Sequence, residues 1–533
     1  MHYNMSFLAF INNNSSSFII SLAALLFSVL VYKLWFSITT PKRNLPPSPP
    51  ALPIVGNLHQ LGLYPHRKLQ AWSRRYGPVM LLRLGSVPVL VISSATAARQ
   101  IMKTHDLAFS NRNKSIAFEK LLYNYRDVSS APYGEYWRQT KSICVLHLLS
   151  NKRVQSYGAI REEETKLMVE KIRKSSGAVN LSDLFVRLTN DVVCRVALGR
   201  KYDEESDGKK FKELLGEFTE LLGSFNIGDY FPKLAWLSHV SGLDGRMEKV
   251  AKAFDELLEG VLQDHMNRNN NKVIGNINDQ KDFVDILLWI QRENLLGFPI
   301  DRTCIKALIL DTFAAGTDTT YTVLEWAMTE LIRHPNAIKK LQNEVRTTIR
   351  NNKKISNTNT RPEAYNNSVT ENDLDKMPYL KAVLKETLRL HPPIPLLLPR
   401  LTTQDMKISG YDVVSGTQVF INAWAIGRDP TLWEDEPDKF EPERFLFKNA
   451  TVDYKGHDFG LIPFGAGRRG CPAIVFAMAV NELALANLVH KFDWELLTTG
   501  EEDLDYHMTE TTGLTSHRKF PLMAVPTEYS DHQ

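Results

Sequence analysis

A glycine-rich loop that ends in a cysteine constrains the fold of this chain more than any other part of the sequence. Residues 463–471 read PFGAGRRGC, and residues 474–490 carry apolar side chains at helical spacing. Pro472 lies between the two stretches, and proline is favoured at the first position of a helix. The sequence therefore predicts that Cys471 lies at the N-terminus of a long helix, presented by a tight loop.

The same loop matches G-x-G-x-x-G over residues 465–470, which is the phosphate-binding pattern of dinucleotide-binding proteins. That interpretation requires a βαβ unit with a strand directly before the loop. Pro463 interrupts the short apolar stretch before the loop, and 63 residues follow Gly470, too few for a full half of such a domain. Asp493 lies near the spacing expected for a ribose-binding acid, so spacing alone does not exclude a nucleotide site. The missing strand context disfavours it.

The residues around Cys471 favour ionisation of its thiol. The positive end of a helix dipole and the neighbouring Arg468 and Arg469 both stabilise a thiolate. A thiolate in this position is a strong axial ligand for haem iron. The chain has four cysteines and no C-x-x-C pair, which disfavours a disulfide framework and a zinc site. We therefore predict that Cys471 binds haem iron.

The loop resembles the cysteine-ligand loop of the cytochromes P450, the haem-thiolate monooxygenases, through Phe464, Gly467, Arg469 and Cys471. That family usually has glycine two residues after the cysteine, where this chain has Ala473. Further motifs, described below, extend the resemblance over the whole chain. It implies a mainly α fold with small β-sheets, an N-terminal transmembrane helix, and haem b as the cofactor, with Phe464, Arg469 and Cys471 among its binding residues.

A Glu-x-x-Arg motif, Glu386 to Arg389, lies upstream of the sequence EPERF, which contains Arg444. Glu and Arg three residues apart share one face of a helix and can pair. On its own such a pair is a surface interaction worth less than about 1 kcal/mol. The order of the motifs resembles the family, and it implies that Glu386, Arg389 and Arg444 form a buried structural network behind the haem.

The sequence DTFAAGTDTTYTVLEW at 311–326 belongs to a long apolar helix, and its residues 315–319 resemble the oxygen-activation segment of the family. A small residue there leaves room over the iron, and a hydroxyl beside an acid can deliver protons. The resemblance implies that Thr319 holds the oxygen and its water, and that Asp318 supplies protons as a general acid. The alternative is an ordinary polar patch on a helix.

Haem propionates are carboxylates and need cations. The sequence YWRQTK contains Trp137 and Lys141, where the family more often has W-x-x-x-R. Lysine keeps the positive charge but loses the bidentate fork of arginine, so the predicted contact is weaker, and Arg138 is an alternative donor. The resemblance implies that Arg400 and Arg469 are the other propionate partners.

An apolar segment near the N-terminus, residues 18–38, contains one charge, Lys33, and is long enough to cross a hydrocarbon layer. Lys42 and Arg43 follow it and no Lys or Arg precedes it, so the positive-inside rule places the rest of the chain in the cytosol. A cleaved signal peptide is the alternative, but the positive N-terminal region and the small-residue cleavage site are missing. We predict an uncleaved, single-pass anchor in the endoplasmic reticulum membrane.

The chain divides into a lumenal N-terminus (1–17), the transmembrane anchor (18–38), a stiff proline-rich hinge (41–53) and one catalytic domain (54–533). The composition is 43% hydrophobic, which can bury a large core, and the net charge of +4 gives no reason to expect nucleic acid as a partner. Apolar spacing predicts strands around residues 80–94 and 418–427, polar loops at 267–272 and 351–372, and helices at 161–175, 209–222, 246–266, 301–334, 374–390 and 474–490.

The anchor, the hinge and the run AAGTDTT resemble the microsomal class of the family from plants. The resemblance implies a monooxygenase that receives electrons from NADPH through NADPH–cytochrome P450 reductase. It would insert one oxygen atom from O₂ into a small lipophilic specialised metabolite: a terpenoid, a coumarin or other phenylpropanoid, or an indolic. The alternatives are a reductase-independent haem-thiolate rearrangement enzyme and a non-catalytic haem-binding protein. The pocket walls are expected at 108–126, 305–315, 394–398 and 513–516.

Overall fold

The computed structural model describes residues 21, 24, 27, 28, 43–202, 207–270, 281–294, 299–355, 368–434, 436–497 and 508–530. The predicted lumenal segment 1–17, most of the predicted anchor 18–38 and part of the polar tract 351–372 lie outside these residues. Packing separates a small unit, Met1–Leu45 with Gly410–Asp412, from a large unit, Pro46–Ser409 with Val413–Gln533. All the site residues discussed below belong to the large unit.

Helices dominate the large unit, as the apolar spacing predicts. The α-helices are α1 (Pro65–Tyr76), α2 (Ala95–Arg99), α3 (Ile116–Leu121), α4 (Glu135–Ile143), α5 (Asn151–Ser156), α6 (Gly158–Arg173), α7 (Leu181–Leu198), α8 (Asp207–Leu222), α9 (Ile227–Tyr230), α10 (Leu237–Val240), α11 (Leu243–Asn270), α12 (Phe283–Glu293), α13 (Arg302–Arg333), α14 (Pro335–Ile355), α15 (Pro378–Leu390), α16 (Ala423–Ile426) and α17 (Ile474–Lys491). Short 3₁₀ turns occur at Leu58–Gln60, Asp106–Phe109, Pro232–Leu234, Glu371–Lys376 and Pro442–Phe445, and single π turns at Gln100–Thr104 and Cys144–Leu148.

Three small sheets accompany the helices in the described part of the chain. The strands are β1 (Val79–Leu84), β2 (Val87–Ile92), β3 (Val179–Asn180), β4 (Arg400–Leu401), β5 (Met406–Ile408), β6 (Tyr411–Val413), β7 (Gln418–Ile421), β8 (Phe492–Leu496) and β9 (Met523–Glu528). The first sheet has the order β1-β2-β7-β4, with β1 and β2 antiparallel and β2 parallel to β7. The second has the order β3-β9-β8, and the third is the pair β5-β6. The predicted strand pair around residues 80–94 is confirmed.

Helix α13 is the central element of the fold, and local sequence sets both of its ends. The Asp301 side chain caps the first turn by accepting a hydrogen bond from the Cys304 N–H at 2.8 Å. The helix ends at Arg333 because Pro335 disfavours helical backbone in the residue before it. Helix α13 packs against α7 and α17. Helix α17 is apolar and long enough to cross a membrane, but 78% of it is buried inside the protein, so it is a core helix.

Four predicted elements differ from the structure. Helix α14 extends through Ile355, so the first part of the tract 351–372 is helical and not a loop. The predicted strand 418–427 ends at Ile421, and a helical turn follows, capped by Asn422; an apolar run of this length fits either element. Helix α11 extends through Asn270, so the first part of the tract 267–272 is helical and not a loop. Helix α15 begins at Pro378 and not at 374, because proline favours the first turn of a helix.

Candidate active site

The cysteine loop is fixed against the segment 102–106 by close backbone packing. Gly465 and Gly467 have φ angles of +67° and +69°, which side chains other than glycine rarely adopt. A Cβ on Gly467 would lie 2.2 Å from the Met102 carbonyl oxygen, so this position also has no room for a side chain. The Cys471 N–H donates to the Phe464 carbonyl at 3.0 Å and closes the loop.

The sulfur of Cys471 lies just before helix α17, which begins at Ile474 with Ala473 as its N-cap. The prediction that Pro472 takes the first helical position is therefore wrong, because the helix begins two residues later. Cys471 still lies just before the start of the helix. The Ala473 N–H donates to Cys471 Sγ at 3.4 Å. Burial raises the pKa of the Cys471 thiol, while this N–H and the Lys141 ammonium act in the opposite direction.

The two arginines beside the cysteine in sequence do not stabilise its thiolate in space. The exposed Arg468 guanidinium donates to Asp106 Oδ2 at 3.0 Å. Buried Arg469 donates to the carbonyl oxygens of Ser110 and Ala131 at 2.7 and 2.5 Å. The predicted role of these cations at the sulfur is therefore wrong. Because metal coordination itself deprotonates a thiol, ionisation accompanies iron binding.

Four buried or largely buried cations, Arg112, Lys141, Arg400 and Arg469, surround the loop and form what we call the cation cluster. Lys141 Nζ donates to the Gly470 carbonyl at 2.6 Å, and Arg400 Nη2 donates to the Ala466 carbonyl at 2.7 Å. The structure thus brings the predicted residues Lys141, Arg400 and Arg469 together. It adds Arg112, which no motif indicates and which the sequence prediction missed.

The cation cluster carries more positive charge than the protein neutralises. In the described part of the chain, the carboxylates that act on it are those of Asp106 and Asp127. Burial and repulsion by other cations hold the pKa of Arg112 well below its usual range and lower that of Arg469 to about 9. The cluster therefore fits an anionic group beside the cysteine, and the two carboxylates of haem b meet this requirement.

Trp137 and Arg138 occupy different places than the propionate prediction implies. The Trp137 indole N–H donates to the Val128 carbonyl at 3.0 Å, and the ring lies under the Arg469 guanidinium, 4.2 Å from its centroid. Trp137 thus supports a cation of the cluster. Arg138 is exposed and pairs with Glu135 at 2.6 Å on the same helix, so the structure does not bring it to the cluster.

The predicted oxygen-activation segment lies in the middle of helix α13. Ala315 is exposed although Phe313 and Thr317 on the same helix are buried, so this point of the core helix faces open space. Thr319 Oγ1 donates to the Ala315 carbonyl at 2.6 Å, beside that opening. An opening over one small residue of a core helix is the second feature that fits a large planar cofactor.

Asp318 follows on the same helix and is held by a hydroxyl. Thr515 Oγ1 donates to Asp318 Oδ2 at 2.5 Å. Burial raises the pKa of the Asp318 carboxyl, and the hydrogen bond from Thr515 opposes this only in part. Asp318 therefore retains a proton at higher pH than an exposed aspartate does.

The Glu386 network, which consists of Glu386, Arg389 and Arg444, is buried and fully connected. Arg389 Nε and Nη2 donate to the two carboxylate oxygens of Glu386 at 2.6 and 2.7 Å. Arg444 Nε donates to Glu386 Oε1 at 3.0 Å. The structure thus brings the three predicted residues together in the core, on α15 and the 3₁₀ turn Pro442–Phe445, and not at the surface.

Phe464, the first residue of the resemblance, is half-buried below the loop. Its ring lies 5.7 Å from that of Tyr454 and packs on the main core cluster. It therefore ties the cysteine loop to the core, while its backbone carbonyl receives the Cys471 N–H.

Comparisons with known proteins match this arrangement. The family model "Cytochrome P450" covers residues 46–520. Cytochrome P450 736A117 of Prunus mume is 61% identical over 524 residues, 96% of this chain and 97% of that protein. Cytochrome P450 71A26 of Arabidopsis thaliana is 53% identical over 485 residues, 91% of this chain and 94% of that protein. Norfluorocurarine oxidase of a Strychnos species is 50% identical over 511 residues, 94% and 96% of the two chains.

A solved structure, a zebra fish cytochrome P450 with abiraterone, superimposes with a TM-score of 0.71. It covers 89% of this chain and 100% of its own, at 23% sequence identity. At that identity the likeness concerns the fold alone.

Proposed function

The chain belongs to the cytochrome P450 family of haem-thiolate monooxygenases, with haem b bound through a cysteine thiolate, and from this premise we propose its reaction. We propose that it inserts one oxygen atom from O₂ into a small lipophilic plant specialised metabolite, with electrons that NADPH–cytochrome P450 reductase supplies from NADPH. The observation that carries the proposal is the pair Asp318 and Thr319 beside the exposed Ala315 on the core helix. A protein that only binds haem has no use for such a pair.

Each group of the site has one task in this proposal. Haem b, when bound, supplies the chemistry that splits O₂ and transfers one oxygen atom. Cys471 would hold the haem iron through its sulfur, and the Ala473 N–H, which donates to that sulfur at 3.4 Å, would tune the ligand. The cation cluster of Arg112, Lys141, Arg400 and Arg469 would hold the haem carboxylates.

Thr319 and Asp318 hold and pass protons. Thr319 Oγ1 donates its hydrogen to the Ala315 carbonyl. The lone pairs of Oγ1 can therefore accept a hydrogen bond from a group in the open space over Ala315. Burial raises the pKa of the Asp318 carboxyl and so favours its protonated form, and the hydrogen bond from Thr515 Oγ1 fixes the direction of that carboxyl. A buried acid next to a positioned hydroxyl is a general-acid arrangement. The same pair argues against a rearrangement enzyme, which delivers no protons to oxygen.

The substrate class rests on the pocket walls and on the relatives. The expected wall at 394–398 contributes the half-buried Leu396, Leu397 and Leu398, directly before Arg400. Apolar walls of this kind favour a lipophilic ligand without an ionic anchor. The three similar proteins from Prunus mume, Arabidopsis thaliana and a Strychnos species are plant proteins, and the last is named norfluorocurarine oxidase. These observations support a terpenoid, coumarin, other phenylpropanoid or indolic substrate.

Membrane attachment belongs to the same proposal. Residues 18–38 would cross the endoplasmic reticulum membrane once, and the hinge 41–53 would place the catalytic domain on the cytosolic side. The apolar composition of 18–38 and the cations Lys42 and Arg43 after it support this arrangement. It also places the site where a membrane-bound reductase and lipophilic substrates meet.

The experiment begins with a screen of candidate compounds for a shift of the haem absorption spectrum on binding. With a substrate in hand, product, hydrogen peroxide and NADPH consumption are measured together for the unmodified protein and Thr319→Ala. A positioned proton donor contributes about 100- to 10,000-fold to the step it serves. We expect Thr319→Ala to bind haem and substrate and to consume NADPH, with far less product per NADPH and more peroxide.

Thr329→Ala is the matched control. Thr329 Oγ1 donates to the carbonyl four residues earlier, at Glu325, as Thr319 does at Ala315, but it lies in the buried part of helix α13. Its replacement should leave product per NADPH unchanged. Equal coupling in Thr319→Ala and the unmodified protein would contradict the proton role. Turnover of the unmodified protein without NADPH would overturn the monooxygenase in favour of a rearrangement.

A further inference from the structure

The backbone segment 127–131, between the core helix and the cation cluster, is held on its N–H side by two carboxyl groups. The N–H groups of Val128 and Ser129 donate to Asp311 Oδ2 at 2.6 and 3.3 Å. The Ser130 N–H donates to Asp127 Oδ2 at 2.8 Å. Asp311 belongs to helix α13, so these bonds fix the segment to the core helix.

The carbonyl side of the same segment holds two arginines of the cluster. The Val128 and Ala131 oxygens accept from Arg469 at 3.3 and 2.5 Å. The Ser129 oxygen accepts from Arg112 Nε at 2.9 Å. Each planar peptide unit joins one carbonyl to the N–H of the next residue, so fixing that N–H also fixes the direction of the carbonyl before it. Asp311, through the Ser129 N–H, therefore fixes the Val128 carbonyl that accepts from Arg469. Asp127, through the Ser130 N–H, fixes the Ser129 carbonyl that accepts from Arg112.

The two carboxyl groups lie against each other and share a serine hydroxyl. Ser129 Oγ donates to Asp127 Oδ2 and also contacts the Asp311 carboxyl. Asp127 is fully buried and Asp311 half-buried. Two neighbouring carboxylates that are largely shielded from water repel each other, which favours a proton on one of them.

The surroundings decide which carboxyl keeps the proton. Asp127 accepts from the hydroxyls of Ser129 and Ser130, and it faces the cations Arg112 and Arg469. Burial raises the pKa of the Asp127 carboxyl, and these contacts oppose that rise. Asp311 faces Asp127 and the Cys144 thiol; burial and the Asp127 charge raise the pKa of Asp311 well above its usual range, although the Val128 and Ser129 N–H groups act in the opposite direction. Of the two carboxyl groups, Asp311 is therefore the one whose surroundings favour the protonated form.

We propose that Asp311 and Asp127 act as one positioning unit that fixes the segment 127–131 and aims Arg112 and Arg469 at the haem carboxylates. The two residues touch neither haem nor substrate in this proposal, and they act through the backbone. The inference concerns cofactor retention, so it does not depend on the proposed oxygen-transfer reaction.

The test compares conservative and truncating replacements in the haem-loaded protein, without substrate or reductase. The rate of haem transfer to excess apomyoglobin is measured for Asp311→Asn, Asp311→Ala and Asp127→Asn. We expect Asp311→Asn to stay within about twofold of the unmodified protein, because an amide oxygen accepts the same two N–H groups and its NH₂ replaces the shared proton. Asp311→Ala and Asp127→Asn should release haem at least about tenfold faster. The first leaves the Val128 and Ser129 N–H groups without their acceptor, and the second removes a carboxylate that acts on Arg112 and Arg469.

The pH dependence supplies a second readout that a purely structural contact would not move. Asp311 has a folded pKa above its unfolded value of about 3.9, so its contribution to stability is present below that value and is lost as pH rises toward the folded pKa. Asp311→Asn removes this titration. The difference in melting temperature, Asp311→Asn minus the unmodified protein, should therefore increase from pH 5 to pH 8.

Asp373→Asn is the matched control, because buried Asp373 accepts from the Thr370 N–H and hydroxyl in a capping box away from the site. It should leave the haem transfer rate unchanged. The proposal is overturned if Asp311→Asn releases haem as fast as Asp311→Ala, or if the melting-temperature difference is flat with pH. Neither result bears on the proposed reaction, whose test is the coupling measurement on Thr319→Ala.

Discussion

The cation cluster and the Glu386 network both bury arginine in this protein, but they balance its charge in opposite ways. In the Glu386 network one carboxylate takes both guanidinium groups, and Arg444 also reaches Glu441 at 3.4 Å. The remaining donors of Arg389 end on the carbonyls of Gly427, Pro437 and Lys439. The network is complete without any ligand.

The cation cluster, in contrast, does not have enough carboxylates from the protein to balance its charge. Its four cations face two carboxylates, and one of these, Asp106, also binds Arg468. Taking a charge out of water costs several kcal/mol unless an opposite charge is close. Burial alone therefore does not identify an arginine that binds a ligand. A buried arginine without a counter-charge from the protein does.

The largest effect is expected when the iron ligand is removed and the cluster has to hold haem alone. Cys471→Ala or Cys471→Ser should abolish the thiolate spectrum of the reduced, carbon-monoxide-bound protein, because no second thiol in the described chain lies at the loop. Haem that is still bound would then show the cluster acting on the carboxylates. Cys194→Ala, a buried cysteine in helix α7, is the control and should keep the spectrum. A thiolate spectrum in Cys471→Ala would refute the ligand assignment.

A smaller but still large effect is expected in the Glu386 network. Glu386→Ala leaves Arg389 and Arg444 buried without their carboxylate, at a cost of about 3–5 kcal/mol of unfolding free energy. Little haem-loaded protein should accumulate, as purified yield and thermal melting will show. Glu135→Ala removes a Glu–Arg pair of the same spacing at an exposed position and should change neither. An unchanged melting temperature of Glu386→Ala would show that this network contributes no more to stability than a surface ion pair does.

The smallest of the three effects separates the cluster from the network. Arg469→Gln should speed haem transfer to apomyoglobin about 10- to 100-fold, because a charge-assisted bond to a carboxylate is lost. Its melting temperature should fall less than that of Glu386→Ala, since the substitution also removes a poorly compensated buried charge. Arg138→Gln, exposed and outside the cluster, is the control. If Arg469→Gln and Glu386→Ala lower the melting temperature and speed haem transfer to the same extent, the distinction between the cation cluster and the Glu386 network disappears.

The sequence could predict those parts of the site whose residues lie close together along the chain. The loop at 463–471 and the spacing of Glu386 and Arg389 belong to single elements, so their geometry follows from nearby residues. Arg112 could not be found in this way, because its carbonyl partners at Leu398 and Pro399 are 286 and 287 residues away. Neither could the contact of Asp311 with the segment 127–131.

Adjacency in sequence also misled the prediction in one instance. Arg468 and Arg469 lie close to Cys471 in sequence, yet both side chains form their hydrogen bonds with the segment 106–131 and not with the sulfur. The strand at 418–427 shows the same limit for secondary structure, since an apolar run carries no period that separates a short buried strand from a buried helical turn. The long helices α13 and α17 match their predicted ranges to within one residue at each end.

The wide separation of the site residues along the chain has a consequence for how the protein is made. Asp106 contacts the cysteine loop at Gly467 and Arg468. Asp106 and Cys471 are separated by 365 residues, and a ribosome adds about 5–20 residues per second, so roughly 20–70 s pass between their syntheses. For that interval the nascent chain carries Arg112 and Lys141 but not the thiol that completes the site. Haem capture is thus one of the last events of biogenesis. A cell that translates this chain faster than it supplies haem accumulates protein with uncompensated buried charge, which chaperones and proteases then remove.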